Sequence, residues 1–251
     1  MSPFLFLRSA LFSVLAWGIL ALPAAASERT AIKHKINLPP SADLAYSIKA
    51  KQSGLSLDGN TLIQWHIANN RFSIVTETRA ALLGKILEAK SEGMIGEYGL
   101  APIVFTQKRF RKPQTTTTFD HQTKAITFTK SDQTYPIKGG EQDRSSAIWQ
   151  LAAIARGAPA KFKPGSIWTF FVAGQSDAEP WSFKVIKKEQ VKTPLGNMNA
   201  LHIVRMPAPD SKGQQLDIWL APSLEWYPVR LRFTEPDNDS IEQVLQKVSK
   251  K

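Results

Sequence analysis

The feature that most constrains the fold of this chain is a two-residue alternation of apolar and polar side chains, which recurs from Leu44 nearly to the C-terminus. Successive side chains of a strand point to opposite faces, so this alternation is typical of strands with one buried face. It is clear over residues 63–67 and 227–233, and Asn69-Asn70 predicts a hairpin turn between two such runs. The sequence therefore predicts a mainly β protein.

The alternating runs number roughly eleven, at the 8–12-residue spacing of a meandering sheet. We expect an antiparallel closed or half-open barrel with one helix at an end. Asp143 can cap that helix, whose apolar positions follow helical spacing until Gly157 and Pro159 end it. The apolar spacing over residues 240–251 also fits a second helix, which we keep as an alternative to a strand.

The N-terminus has the organisation of a secretory signal peptide over residues 1–26. Arg8 is its only charge, an apolar run of about a dozen residues follows, and Ala24-Ala25-Ala26 suits signal peptidase. The run is shorter than the roughly 20 residues of a bilayer span. We therefore expect cleavage and export to a Gram-negative periplasm, with an uncleaved membrane anchor as the alternative.

The remaining chain divides into two parts. Residues 27–43, which contain Pro39-Pro40, are predicted to be an extended, mobile lead-in. Residues 44–251 are predicted to form a single β-rich domain, because no linker or charge run divides them. Two stacked β lobes that meet at the helix remain the alternative.

Composition excludes several kinds of chemistry. The chain has no cysteine, which excludes thiol catalysis, thiolate metal sites and lipid attachment to a lipobox cysteine. Its four histidines show no spacing that would place two on one helical face for zinc. Serine-nucleophile and phosphate-loop motifs are also absent from the sequence. We therefore predict no catalytic residue, no metal site and no cofactor.

A glycan hydrolase is the alternative from another functional class. Glu88 and Glu92 share a strand face, but at ~3.3 Å per residue their Cα atoms lie about 13 Å apart. Paired carboxylates of glycosidases lie about 5–9.5 Å apart. A hydrolase would therefore need carboxylates from separate strands that meet in a cleft of the sheet.

The surplus of basic residues is the stronger signal. The formal charge is +11, or +10 once Arg8 leaves with the signal peptide, and the densest cluster is residues 108–112. Strand alternation predicts Arg109 and Arg111 on one face and Lys108 on the other. An ion pair between Arg109 and Glu92 is the structural alternative. The predicted ligand-binding residues combine these cations with one further arginine and two strand aromatics: Arg109, Arg111, Lys108, Arg230, Trp65 and Trp181.

Export determines which partners such a surface can meet. It removes nucleic acid, so we expect an anionic phospholipid, lipopolysaccharide or acidic glycan of the envelope. The leading hypothesis is a periplasmic, non-enzymatic binding or carrier protein for an amphipathic or anionic envelope component. Its mature form is not expected to span the membrane. A scaffold that presents a sheet edge to a protein partner, or a surplus charge that serves solubility alone, are further alternatives.

Several short sequence segments resemble those of a known family. They are Ser91-Glu92-Gly93, Gly99-Leu100-Ala101-Pro102, Asp143-Arg144-Ser145-Ser146 with Gln150-Leu151, and residues 217–223 with 227–231. In this order they resemble domain of unknown function 3108, a family of exported bacterial proteins, over residues 44–235. The resemblance implies an antiparallel β architecture and an envelope location. It implies no activity and no catalytic residues.

Overall fold

A computed structural model describes residues 30–52, 54–81, 83–206, 214–235, 237 and 239–251. The predicted signal peptide, residues 1–26, lies outside the described residues. Residues 30–41 contain no helix or strand, but they are bound to the rest of the protein. Trp65 Nε1 donates a hydrogen bond to Pro39 O at 2.9 Å, and Tyr227 Oη donates one to Pro40 O at 2.7 Å. The described part of the predicted lead-in is therefore packed against the barrel.

The described chain contains fifteen strands, one α-helix and one short 3₁₀ helix. In chain order the elements are β1 (Ala42–Gln52), β2 (Leu55–Ala68), β3 (Arg71–Ala80), β4 (Gly84–Gly96), β5 (Gly99–Arg109), β6 (Thr115–Asp120), β7 (Ala125–Phe128), β8 (Tyr135–Pro136), β9 (Gln142–Asp143), α1 (Ser146–Gly157), β10 (Ile167–Ala173), β11 (Ala178–Thr193), β12 (Gly196–Met206), β13 (Gln215–Leu220), the 3₁₀ helix (Pro222–Leu224), β14 (Pro228–Thr234) and β15 (Ser240–Lys250).

All fifteen strands belong to one sheet, in the order β8-β7-β6-β5-β4-β3-β2-β1-β15-β14-β13-β12-β11-β10-β9. Neighbouring strands are antiparallel, except that β9 runs parallel to β10. The predicted turn at Asn69-Asn70 is confirmed, and both residues have positive φ. The mainly β prediction is confirmed, whereas the predicted number of eleven strands is wrong. Strands β8 and β9 have only two residues each, too few to show an alternating pattern.

The predicted alternative of a C-terminal helix over residues 240–251 is wrong, because this segment is β15. It pairs with β1 on one side and β14 on the other. A bulge shifts the β1–β15 register, so that Tyr46 faces Leu245 while Leu44 faces Val248. The extra residue moves the next inward position from 247 to 248. Apolar residues at 241, 245 and 248 then mimic helical spacing, although they lie in a strand.

The predicted helix is confirmed as α1, and Asp143 Oδ1 accepts the backbone N–H groups of Ser145 and Ser146. α1 is buried against the inner face of the sheet. Most of its residues are buried, and its Trp149 ring stacks on Trp65 at a centroid distance of 4.4 Å. Residue 157 must be glycine because a Cβ there would lie 2.5 Å from the Lys35 carbonyl oxygen.

Among the described residues, backbone hydrogen bonds do not close the sheet, and side chains instead join its β9 end and α1 to β5. Gln150 of α1 accepts the Leu100 N–H at 2.9 Å and donates to Tyr98 O at 2.7 Å. Gln142 Nε2 donates to Leu100 O at 2.7 Å. These two side-chain amides satisfy the backbone N–H and C=O groups at the start of β5, which precede the residues that pair with β6. We call this contact between β5 and the β9–α1 segment the seam.

Gly99 lets the seam form. Its φ is +101°, and a Cβ at this position would lie 2.3 Å from Gln150 Oε1. The seam continues where Ser91 Oγ donates to Asp143 Oδ2 at 2.5 Å and Thr117 Oγ1 donates to Gly174 O at 2.7 Å. Burial raises the pKa of the Asp143 carboxyl, while the bonds from Ser91 and from residues 145–146 act in the opposite direction.

Described side chains fill the interior of the curved sheet. Trp65, Phe105 and Phe183 are at most 2% exposed, and the core joins the inward faces of the strands to α1. Two open depressions, of about 170 and 220 Å³, lie outside this core. Within the described residues, no helix combines the length and apolar character needed to cross a membrane.

The seam predicts a specific loss of stability for Gln150→Leu. The substitution keeps the side-chain volume but leaves the Leu100 N–H and the Tyr98 carbonyl without partners in a buried place. Each unsatisfied buried group costs about 1–3 kcal/mol, so we expect the free energy of unfolding to fall by about 2–5 kcal/mol. Urea unfolding monitored by circular dichroism measures it. Gln190→Leu, at an exposed position of β11, is the control and should change stability little; equal losses in both variants would contradict the role of the seam.

Candidate functional site

One end of the barrel gathers arginine side chains. Strands β5, β10 and β12 finish there, β11 begins there, and α1 starts immediately below. We call Arg109, Arg144 and Arg205, together with the Trp181 ring, the arginine cluster. The sequence predicted two of these four residues, Arg109 and Trp181, as ligand-binding residues.

Trp181 is the centre of the arginine cluster. Its side chain faces inward from β11 and is 6% exposed. The Arg205 guanidinium lies 3.9 Å from the ring centroid and that of Arg144 lies 6.0 Å from it, so both are within the range of cation–π attraction. Glu179 Oε1 accepts from Trp181 Nε1 at 2.9 Å and from Arg205 Nη2 at 2.6 Å. Arg205 Nε is buried and has no hydrogen-bond partner in the part of the chain that the structure describes.

Arg144 is exposed, as is Arg109. Among the described residues, no carboxylate oxygen lies within 4 Å of its guanidinium. Partial removal from water lowers the pKa of Arg144, and the charge of Arg109 acts in the same direction, whereas Asp177 and Glu179 oppose both. A Cβ on residue 174 would approach Arg144 Nη2 to 2.8 Å, so Gly174 leaves room for this side chain. Because Asp143 is fixed in the seam, the backbone that carries Arg144 is held in place.

Arg109 is the last residue of β5 and shares its inward face with Phe105 and Gln107. The alternative of an ion pair with Glu92 is wrong, because Glu92 lies five positions along β4 and pairs with Lys90 at 2.8 Å. In the described structure Arg109 is exposed and has no carboxylate within ion-pair distance. Its charge is therefore free to act on the mouth of the barrel.

The other two cations of this segment lie elsewhere. Lys108 faces outward, opposite Glu88 of β4. Arg111 does not share a strand face with Arg109, because β5 ends at residue 109 and Arg111 has a φ of +55° in the following turn. Its guanidinium lies 4.9 Å from the centroid of the Phe110 ring. The turn between β5 and β6 thus adds positive charge beside the cluster.

Trp65 and Arg230 lie apart from the cluster. Trp65 is buried against α1 towards the opposite end of the barrel. Arg230 is on the outer face of β14, with its guanidinium 4.7 Å from the centroid of the Trp219 ring. It donates a short hydrogen bond to Glu242, and Arg232 donates to the same carboxylate at 2.7 Å. The structure therefore does not bring the six predicted ligand-binding residues together.

The outer face around Trp219 is balanced in charge. The His202 ring stacks on Trp219 at 4.4 Å, and its Nε2 lies 2.6 Å from Asp217 Oδ1. Trp219 Nε1 donates to Glu189 at 2.7 Å. Burial by itself would raise the pKa of Asp217, but the hydrogen bond and charge of His202 outweigh it and lower that pKa. These mutual contacts describe a structural cluster in which each charge has a partner.

The described residues contain no group of three His, Cys, Asp or Glu side chains arranged to hold a metal ion. Glu88 and Glu92, which the sequence excluded as a catalytic pair, bind Lys85 and Lys90 at 2.7 and 2.8 Å.

Sequence reasoning missed Arg144 and Arg205. A signal existed for both. Arg144 lies within the sequence segment Asp143-Arg144-Ser145-Ser146. Arg205 occupies the same face of its strand as the apolar residues Leu201 and Ile203. A charge at an apolar position of a strand requires a partner, which here is Glu179.

The outer cluster predicts an acid-side loss of stability. Burial tends to raise the pKa of Glu242, but hydrogen bonds and charges from Arg230 and Arg232 outweigh it, so the pKa lies below its ordinary value of 4.5. A lowered carboxyl pKa stabilises the fold above the unfolded pKa, and that contribution disappears as pH falls through the folded pKa. We expect the Tm of Glu242→Gln to be lower at pH 7 and to fall less steeply from pH 5 to pH 3.

Thermal unfolding followed by circular dichroism across this pH range measures the difference. Asp58→Asn is the control, because Asp58 is exposed on β2 and has no arginine partner in the described structure. An acid-side slope that is the same in Glu242→Gln and in the unmodified protein would refute the expectation.

Comparison with solved structures finds proteins of similar fold. A beta-barrel-like protein of domain of unknown function DUF1849 from Brucella abortus superposes with a TM-score of 0.55 at 11% identity, over 86% of this chain and 99% of that one. An exported protein with a YmcC-like fold from Bacteroides fragilis gives 0.36 at 9% identity, over 87% and 100% of the two chains. The first likeness is one of fold alone, and the second score is too low to support an inference.

No curated protein matches the sequence. The family model for DUF3108, described as a protein of unknown function, matches residues 45–246. This range contains every sequence segment on which the resemblance rested, and it includes the seam and the arginine cluster. The chain belongs to the DUF3108 family.

Proposed function

We propose that this protein is a non-enzymatic binding protein of the bacterial envelope, which holds the anionic group of an amphipathic envelope component at the arginine cluster. One observation carries the proposal. Arg144 has an exposed guanidinium without a carboxylate within 4 Å in the described structure, and it lies beside Arg109, Arg205 and the Trp181 ring. Among the other described arginines, Arg79, Arg156, Arg230 and Arg232 have carboxylate partners, whereas the isolated Arg71 and the turn residue Arg111 do not contact the Trp181 ring.

The chemistry of the cluster suits a phosphate or carboxylate group. Guanidinium groups donate paired, charge-assisted hydrogen bonds to such anions. No described carboxylate pairs with the Arg144 guanidinium, so its N–H groups can bind an anion. The buried Arg205 Nε is a further donor without an acceptor among the described residues. Asp177 and Glu179 reduce the local charge, so the cluster favours a ligand that engages several donors over diffuse attraction alone.

The filled interior favours a ligand at the mouth of the barrel over one deep inside it. The aromatic residues that could have lined a hollow barrel pack against one another and against α1. A polar head group at the mouth can reach the arginine cluster without displacing this core. A carrier with a deep apolar cavity would require α1 to move.

The cellular setting comes from the sequence. We propose that residues 1–26 direct export and are removed, which leaves a chain of formal charge +10. Phospholipid head groups, lipopolysaccharide phosphates and acidic glycans are the abundant polyanions of the envelope. A positively charged mouth raises the local concentration of such groups, and nucleic acid is not among them.

Titration with glycerol 3-phosphate, followed by protein NMR at low ionic strength, tests the proposal. Arg144→Ala should weaken binding by about 10- to 100-fold, as expected for the loss of a charge-assisted hydrogen bond. Binding to the unmodified protein should also weaken as salt is added.

Arg71→Ala is the matched control. Arg71 is an exposed arginine at the start of β3, near the opposite end of the barrel, and its loss should leave the affinity unchanged. Equal affinities for glycerol 3-phosphate and uncharged glycerol, or equal affinities of the two variants, would reject the arginine cluster as the binding site.

A further inference from the structure

A row of inward-facing residues crosses the sheet from the arginine cluster. Strand register places each member directly opposite the next on neighbouring strands, beginning at Arg205 of β12 and ending on β2. In order, the row is Arg205, Leu216, Phe233, Ile241, Ala50 and Leu57. Neighbouring strands lie ~4.8 Å apart, so the five steps cover roughly 24 Å. After the single guanidinium, every member of the row is apolar.

The far half of this row is unusually exposed for an inner face. Leu216 is 4% exposed, whereas Ile241 is 41% and Leu57 is 37% exposed. Residues one step deeper on the same strands, such as Ile48 at 6%, are buried. We call Phe233, Ile241, Ala50 and Leu57 the apolar row. It forms a concave apolar surface at the same end of the barrel as Arg144.

We propose that the apolar row binds the hydrocarbon chain of an anionic, phosphate-bearing lipid whose head group occupies the arginine cluster. This inference rests on the proposed function, and it adds the chemical class of the ligand and the position of its chain. Charge complementarity supports this occupant, because the row starts at the arginine cluster, where no described carboxylate lies within 4 Å of the Arg144 guanidinium, and it contains no charge after Arg205. A fully extended chain of about 16–18 carbons, with its head group at Arg205, has a length comparable to the roughly 24 Å that separates Arg205 from Leu57.

The position of the row also explains how a packed barrel can bind a lipid. The chain lies across the ends of β14, β15, β1 and β2, over the core, and α1 need not move. One side of the row is open to solvent, so a methylene bound there is only partly removed from water and contributes less binding free energy than a fully buried one. Full burial is worth ~0.8 kcal/mol per methylene, which is about fourfold in affinity. We therefore expect about two- to threefold per methylene.

A series of alkyl phosphates with 10, 12, 14 and 16 carbons, used below their micelle concentrations, measures this gain along the part of the row that contains Ile241 and Leu57. Isothermal titration against the purified exported protein should show affinity rising along the series. The double variant Leu57→Thr/Ile241→Thr should flatten that rise while it retains the affinity for glycerol 3-phosphate. Threonine keeps β-propensity, so the strands are preserved.

Leu62→Thr is the matched control. Leu62 is also in β2 and is 40% exposed, but it faces outward, opposite Ala45 and Glu77. It should leave the chain-length dependence unchanged. Circular dichroism and urea unfolding verify that all variants are folded.

The outcomes separate the two proposals. Affinity that does not change with chain length, while Arg144→Ala still weakens phosphate binding, would overturn the apolar row and retain the anion site. A chain-length dependence that persists in the double variant would place the chain elsewhere and also overturn it. Loss of all alkyl phosphate binding in the unmodified protein would reject the proposed function, and this inference with it.

Discussion

The amide of Gln150 is the contact on which the rest of this architecture depends. In the part of the chain that the structure describes, no backbone ladder joins the β9 end of the fifteen-stranded sheet to β5. The Gln150 side chain reproduces a strand's hydrogen bonds at Tyr98 and Leu100, and it can approach because Gly99 has no side chain. Buried backbone groups must find partners. One helix therefore closes the barrel and fills it.

This mode of closure determines where the protein can bind a ligand. The lumen is occupied by α1, whose Trp149 stacks on Trp65. Exposed side chains of the inner face therefore lie at the mouth of the barrel, where a ligand can reach them. The same segment that forms the seam continues directly from Asp143 to Arg144. Arg144, whose guanidinium has no carboxylate within 4 Å among the described residues, thus follows directly on the seam, which keeps its backbone in place without a ligand.

Two clusters of arginine and tryptophan illustrate the difference between structure and binding. Around Trp219, arginine and histidine side chains each meet a carboxylate, and the pKa of Asp217 and that of Glu242 are lowered accordingly. Around Trp181, Arg205 pairs with Glu179, and within the described ranges neither Arg109 nor Arg144 has a carboxylate at ion-pair distance. Similar residue types therefore serve stability at one place and leave charge available at the other, and the number of carboxylates within reach makes the difference.

The sequence alone determined the β class, the hairpin at Asn69-Asn70, the helix after Asp143 and the family, because alternation, turn chemistry and capping are local. It also identified Arg109 and Trp181. Tertiary structure alone decided the strand character of residues 240–250, the inward burial of α1 and the approach of Arg144 and Arg205 to Trp181. These depend on a bulge, on side-chain closure and on contacts between strands distant in sequence, none of which leaves a periodic pattern.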